Sequence, residues 1–330
     1  MANIMVTKRC NLRCPYCFAN EFVNDSGDIT INEFRSILDF ILLDGSDPKL
    51  GLIGGEPTIH CEFDKLLNII AEDERIKNCI IYTNGIKLKK FINLLENEKF
   101  RLLINCNDIR NSHSLFDEFS DSLDVAFHSI SKRITLGANF YKPDYDYGYI
   151  LELVKKYSCD KLRVSISLPN SKDYEYEPLN YFKIVKPHIF TFFRELKALG
   201  CIPFFDCNIM PSCVFTAEEM LEFEEWGREN PFSVIKNRHT GCVPVIDILP
   251  DGTAVRCFGL SEYSKTNIRN FACIQDLKFY YLRTVDAYAL NSATDKKCIS
   301  CYKFKTAKCT GGCLVYKIGK IIDKYEKECF

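Results

Sequence analysis

Through its first 230 residues the sequence alternates short apolar runs with longer stretches of helical periodicity. Strands separated by helices must run parallel, because a parallel pair needs a long crossover. The runs at 2–8, 49–53, 78–83, 101–106, 133–140, 161–168 and 202–208 read as strands. Leu162-Arg163-Val164-Ser165-Ile166-Ser167-Leu168 shows the pattern plainly, with period-two alternation between breakers. Helices are predicted over 30–43, 62–73, 87–97, 114–128, 146–157, 181–199 and 216–229. Thr30 with Glu33, and Thr216 with Glu219, have the spacing of capping boxes. The expected class is α/β, either a doubly wound sheet or a full or partial barrel. Residues 106–122, rich in Asn, Asp and Ser, fit no element cleanly.

The alternation stops near residue 230, so a boundary is expected at 230–240, between a core domain, 1–230, and a smaller region, 235–330. The second region has strand-like pieces at Pro244–Leu249 and Ala254–Cys257. Between them Leu249-Pro250-Asp251-Gly252-Thr253 carries the residues a hairpin turn requires.

Cysteine is the unusual residue, with 18 among 330. The N-terminus has no apolar signal region, and no run approaches the roughly 18 apolar residues of a membrane span. Thiols or metal ligands in a reducing cytoplasm are therefore expected, not a secreted disulfide scaffold. A net charge of −1 gives no reason to expect nucleic acid as a partner. Lys87, Lys89 and Lys90 read as a solvated helix face, and the five histidines show no ligand spacing.

Cys10-Asn11-Leu12-Arg13-Cys14-Pro15-Tyr16-Cys17 has C-x3-C-x2-C spacing at the end of the first strand. Three thiolates on one loop can hold three corners of a cubane 4Fe–4S cluster, leaving one iron open to a small molecule. A zinc site or buried structural cysteines are the alternatives, although zinc prefers four protein ligands. The segment resembles the signature of the radical S-adenosylmethionine (SAM) superfamily, C-x3-C-x-aromatic-C, with Tyr16 as the aromatic. Leu52-Ile53-Gly54-Gly55-Glu56-Pro57-Thr58 and Ile81-Tyr82-Thr83-Asn84-Gly85 resemble that family's segments at the next two strand ends. The resemblance implies a partial (β/α)6 TIM-like barrel, with Gly54, Gly55, Glu56 and Pro57 binding the amino group of SAM. For the ribose it suggests polar residues at later strand ends: Asn105, Asn139, Ser165 or Ser167. Each reads equally well as a polar residue on a half-buried strand.

Near the C-terminus Cys242 is followed by nine residues, Gly252, four residues and Cys257. Then come Cys298-x2-Cys301-x7-Cys309-x3-Cys313 and Cys329. This resembles the SPASM extension of radical SAM enzymes, departing only in x7 for the usual x5. The resemblance implies one auxiliary 4Fe–4S cluster on Cys298, Cys301, Cys309 and Cys329. A second would use Cys242, Cys257 and Cys313, with a fourth ligand such as His239 or none. A zinc ribbon or a single auxiliary cluster remains open. Cys61, Cys79, Cys106, Cys159 and Cys201 read as core residues, while Cys207, Cys213 and Cys273 are ambiguous. Cys213 follows the last core strand and is the one candidate for a catalytic hydrogen-atom donor.

The resemblance implies reductive cleavage of SAM to a 5′-deoxyadenosyl radical, which abstracts a hydrogen atom. It suggests a peptide or protein substrate and an external electron donor of the flavodoxin or ferredoxin type. The core begins near Met1, so no N-terminal leader-recognition domain is expected. A small-molecule substrate, or a zinc-stapled interaction protein without chemistry, are the competing readings.

Overall fold

The computed structural model describes residues 2–17, 19, 27–45, 49–167, 178–205, 210–229, 245–261 and 263–315. The chain divides into two compact units, Met1–Thr135 with Pro244–Thr284, and Leu136–Val243 with Val285–Phe330.

In the first unit four parallel strands lie side by side: β1 (Ala2–Thr7), β2 (Lys49–Gly54), β3 (Asn78–Thr83) and β4 (Phe100–Asn105). The connections carry α1 (Ile31–Leu42), α2 (Phe63–Glu72) and the short α3 (Ile92–Leu95). Helix α4 (His113–Ile130) follows β4, so the unassigned segment 106–122 is a loop running into a helix. The single helix expected over 87–97 is a 3-10 turn, Leu88–Phe91, leading into α3. Helix α1 buries Phe34, Ile37, Leu38, Ile41 and Leu42, the one-face spacing of an amphipathic helix. Its capping box forms: the Glu33 backbone N–H donates to Thr30 Oγ1, and the Thr30 N–H to the Glu33 carboxylate.

The second unit has three parallel strands, β5 (Ile134–Phe140), β6 (Lys161–Ile166) and β7 (Ile202–Phe205). They are linked by α5 (Gly148–Tyr157) and α6 (Pro178–Ala198) and followed by α7 (Ala217–Glu229). The described part of the seventh predicted strand ends at Phe205.

Past the expected boundary, β8 (Ile246–Ile248) pairs in parallel with β1, on the edge opposite β2. The predicted turn then reverses the chain into β9 (Thr253–Val255), with Gly252 at φ +80°. A further antiparallel strand, β10 (Thr266–Asn267), and helix α8 (Ile274–Tyr281) complete this unit. Strand β1 is thus central and buried at every residue, as a strand covered on both faces should be. Asn3 fixes its place. It pairs with Gly51 on one side and Asp247 on the other, and donates to the Asp247 carboxylate at 2.7 Å. A Cβ at position 51 would stand 2.1 Å from Asn3 Oδ1, which is why a glycine interrupts β2.

The fold is α/β on parallel strands. No helix among the described residues is long and apolar enough to cross a membrane.

Candidate iron–sulfur and cofactor site

The loop leaving β1 holds Cys10, Cys14 and Cys17 half-buried. Cys10 and Cys17 pack on a patch formed by Met5, Ala19, Ile53, Leu249, Val255 and Phe258. The C-terminal hairpin therefore supplies part of the floor beneath the N-terminal triad. Burial and the neighbouring Cys10 and Cys17 sulfurs push the Cys14 thiol up to about 12. Burial also raises Cys10 and Cys17. Three thiols whose ionisation is opposed by burial suit a polycationic ligand, whose charge compensates all three thiolates together.

The next strand end is tied to this loop through backbone. Gly55 N–H donates to Thr7 O at 2.9 Å, and Glu56 N–H to Arg9 O at 2.8 Å. A Cβ at residue 55 would lie 2.1 Å from Arg9 O, and one at residue 54 would lie 2.7 Å from Thr7 O. Only glycines allow so close an approach. Pro57 is buried and opens a 3-10 turn, Pro57–Ile59, capped by Glu56.

Glu56 is fully buried, and its carboxylate is already well occupied. It accepts from Thr58 N at 3.1 Å, Thr58 Oγ1 at 2.6 Å, Thr83 Oγ1 at 2.6 Å and Asn84 N at 2.6 Å. Burial pushes this carboxyl up and the four donors pull it down. Expected as an acceptor for an amino group, Glu56 also fastens the end of β2 to the end of β3.

Two asparagines extend the site beyond the sequence expectations. Asn84 Nδ2 donates to Asn11 Oδ1 at 2.8 Å, and Asn11 Nδ2 is buried without a hydrogen-bond partner. An unmatched buried donor beside the triad fits an acceptor-bearing ligand. After β4, Asn107 Oδ1 accepts from both the Tyr16 hydroxyl and the Cys14 thiol, the latter at 3.2 Å. An asparagine in a loop ordinarily reads as a turn former, so neither was visible in the sequence.

Behind the triad, the Arg9 guanidinium grips Asp28 through Nε at 2.9 Å and a second nitrogen, and donates to Ile59 O at 2.8 Å. Among the described residues, the one trio of ligand-type atoms within 4.8 Å of one another is Asp28, His60 and Cys61. It is not arranged for an ion. Asp28 is engaged by Arg9, Thr7 and Cys61 N, while His60 Nε2 meets Ile29 O and Nδ1 accepts from Glu62 N.

Asn105 ends β4. In the second unit Asn139 pairs in register with Ser165; both are buried, and Asn139 accepts from Arg163 at 2.8 Å. Ser167 N–H donates to Phe140 O at 2.8 Å.

Most of the C-terminal cysteines belong to the second unit. Cys298 lies in α10 (Lys296–Ser300), after α9 (Ala287–Asn291), and Cys301 caps α11 (Tyr302–Lys305). Helix α11 accounts for the long x7 interval. After it, Ala307 turns left-handed at φ +53° and Lys308 N and Cys309 N both donate to Lys303 O. Gly311 N then donates to Cys309 Sγ at 3.2 Å. Tetrahedral zinc, with bonds near 2.3 Å, would hold its sulfurs about 3.8 Å apart. No three of the described cysteine sulfurs gather within 4.8 Å of one another. Cys257 follows β9 in the first unit and Cys313 lies in the second. Cys207, His239, Cys242 and Cys329 lie outside the described residues.

Residues 4–158 match the family model of the radical SAM superfamily. The chain carries a radical SAM domain. Its cofactors are those of that superfamily, a 4Fe–4S cluster and SAM, and the triad, the glycine turn and the unmatched Asn11 donor fit them. Over 136 residues, 38% of this chain and 41% of the other, the chain is 26% identical to GTP 3′,8-cyclase of Klebsiella pneumoniae. Over 103 residues, 30% of this chain and 20% of the other, it is 37% identical to 7,8-dihydro-6-hydroxymethylpterin dimethyltransferase of Methanocaldococcus jannaschii. The chain thus spans less than half the length of these relatives.

Structural similarity extends beyond the domain. Streptococcus suis SuiB bound to S-adenosylmethionine superposes with a TM-score of 0.64 at 20% identity, covering 95% of this chain and 72% of that one. Native anSMEcpe with bound AdoMet gives 0.66 at 16%, covering 94% and 89%. The fold of this chain is therefore the open, TIM-like partial barrel, and its C-terminal cysteine region is consistent with the SPASM type.

Proposed function

We propose that this protein cleaves SAM on a cluster held by Cys10, Cys14 and Cys17 and uses the radical to modify a peptide or protein. The observation that carries the chemistry is the joining of the triad loop to the Gly54–Gly55 turn by two backbone hydrogen bonds. A cluster held by Cys10, Cys14 and Cys17 would supply the electron that cleaves the SAM sulfonium to methionine and a 5′-deoxyadenosyl radical, the species that would abstract a hydrogen atom. The three cysteines hold the cluster; before it binds, the Cys14 thiol donates to Asn107 Oδ1, which also accepts from the Tyr16 hydroxyl. Carbonyls of the Gly54–Pro57 turn and Glu56 receive the SAM amino group, while Asn11 Nδ2 offers its free hydrogen to an acceptor on the ligand. Asn139, Ser165 and Ser167 are the ribose contacts in this reading.

Residues 1–230 form the catalytic core and 235–330 the cluster-bearing region, which also lends β8–β10 to the N-terminal sheet. Of two auxiliary clusters, one uses Cys298, Cys301, Cys309 and Cys329, and the other Cys242, Cys257 and Cys313. A reducing cytoplasm, with a flavodoxin- or ferredoxin-type donor, suits a chain with no disulfide among its described cysteines.

The peptide assignment is supported by fold across nearly the whole chain. SuiB has been solved bound to precursor peptide SuiA, and anSMEcpe with the Cp18Cys and Kp18Cys peptides. A small-molecule substrate is the second reading, favoured by the names of the sequence relatives. Anaerobic reconstitution tests the chemistry. Dithionite should release 5′-deoxyadenosine from SAM, and about 8–12 irons per chain should bind, four per cubane. The C14A chain should release none. Zinc in place of iron, or activity surviving in C14A, defeats the proposal. Deuterium transfer into 5′-deoxyadenosine from labelled peptide, and none from nucleotides or pterins, separates the two substrate readings.

A further inference from the structure

We propose that the outer face of α10 and α11 is the docking surface for a small acidic electron carrier. This rests on the auxiliary-cluster reading above and adds where the donor meets the chain.

Positive charge gathers here against the balance of the sequence. The whole chain has 43 basic and 44 acidic residues, yet 296–308 holds five lysines and no acid. Lys296, Lys297, Lys303, Lys305 and Lys308 are all exposed, and none forms an ion pair with an acid among the described residues. Other cations of the same unit are matched: Lys186 pairs with Glu219, and Arg194 with Glu222. Lys303 serves to anchor the face. It donates to Ser212 Oγ at 2.8 Å, in the 3-10 turn Ser212–Val214 that carries the exposed Cys213.

Two large apolar side chains stand out among the lysines, Ile299 at 64% exposed and Tyr302 at 68%. In α10, Lys296 and Ile299 lie one turn apart on the outside, while Cys298 is buried. In α11, Tyr302 and Lys305 are also one turn apart, and Lys308 Nζ lies 5.4 Å from the centre of the Tyr302 ring. Apolar groups rimmed by unmatched cations have the anatomy of a protein interface. Complementarity then asks for an acidic partner, drawn in by the field of the lysines.

The kind of partner follows from what lies under the face. The helices that present the lysines also carry Cys298 and Cys301, and Cys309 follows Lys308 directly. A carrier seated on the lysines comes to rest over the cysteines of this cluster, and the electron it loses there is the one the cluster gains. Nucleic acid would meet the same charge but would gain nothing from the cysteines beneath.

The test uses the full chain, reconstituted anaerobically, with flavodoxin as the probe. Wild type should bind it, with a dissociation constant that rises steeply between about 50 and about 500 mM salt. The K296E/K297E/K305E/K308E chain should bind roughly tenfold more weakly at the lower salt, lose most of the salt dependence and oxidise flavodoxin hydroquinone more slowly. The Y302A chain should bind more weakly with the salt dependence kept. In both, iron content and dithionite-driven release of 5′-deoxyadenosine should match wild type, which separates docking from SAM chemistry. Unchanged flavodoxin binding in the iron-loaded fourfold variant overturns the inference, as does an equal loss in K89E/K90E, a basic pair of the other unit. A fourfold variant that loses only binding of a DNA duplex overturns it in favour of nucleic acid. A wild-type chain with only the triad's iron, about four per chain, overturns the auxiliary cluster and with it electron entry at this face.

Discussion

The Thr83 hydroxyl donates to the Glu56 carboxylate at 2.6 Å, so the end of β3 hangs on an acid at the end of β2. The same oxygen takes Thr58 N–H, and the other takes Asn84 N–H. In E56Q, whichever way the amide turns, one of these backbone donors faces an NH2 group. The hydroxyls can rotate to accept; a peptide N–H cannot. A buried unmatched donor costs about 1–3 kcal/mol. The E56Q chain should therefore melt lower than wild type and bind SAM more weakly. Thermal melts and equilibrium dialysis check this, and an unchanged affinity would show that Glu56 does not shape the pocket.

The G55A substitution strikes backbone, not a movable side chain, because its Cβ would lie 2.1 Å from Arg9 O. The triad loop must shift away from the glycine turn. Iron at the triad should be lost and 5′-deoxyadenosine release should fall below detection, while auxiliary iron stays. Iron analysis against wild type decides it.

Asp247 gives stability a pH dependence of unusual sign. Burial raises its carboxyl from the normal 3.8 to about 6, against the pull of Asn3, the Phe258 N–H and Arg256. A folded pKa above the unfolded one favours the folded state at low pH. The contribution is complete below about pH 4 and is lost as pH rises through 6. Two pKa units correspond to on the order of 3 kcal/mol. In D247N this contribution vanishes, so the difference in denaturation midpoint between D247N and wild type should change between pH 4 and 7. A constant difference would mean that Asp247 stays ionised throughout.

The Thr30 cap is a local test. The T30A chain loses the acceptor for Glu33 N–H at the start of α1 and should be less stable by about 1 kcal/mol. Urea unfolding reads this, with iron content unaffected because the cap holds no cluster residue.

Much of this architecture was legible in the sequence where local rules govern. Strand β3 was bounded to the residue, because Asn78–Thr83 is a compact apolar run ending at Asn84-Gly85. The Thr216–Glu219 pair forms the box its spacing suggested. What depends on distant partners was not legible. Nothing near Ile246–Ile248 shows that this three-residue strand lies against β1, because the pairing is decided by Asn3, more than 240 residues earlier. Cys213 was ambiguous for the same reason: the turn that holds it is fixed by Lys303, 90 residues on. Asn11 and Asn107 carry no spacing signal, and their meaning comes from what folding sets beside them.

The pairing of β1 with β8 has a consequence for biogenesis. The triad strand leaves the ribosome well before Leu249, Val255 and Phe258, which floor Cys10 and Cys17 and are translated more than 230 residues later. At usual elongation rates that interval is on the order of 10–50 s. Iron delivered during it meets three thiols on an unfinished pocket. Loading of this cluster therefore waits for the later segment, 246–258, to dock on the earlier one.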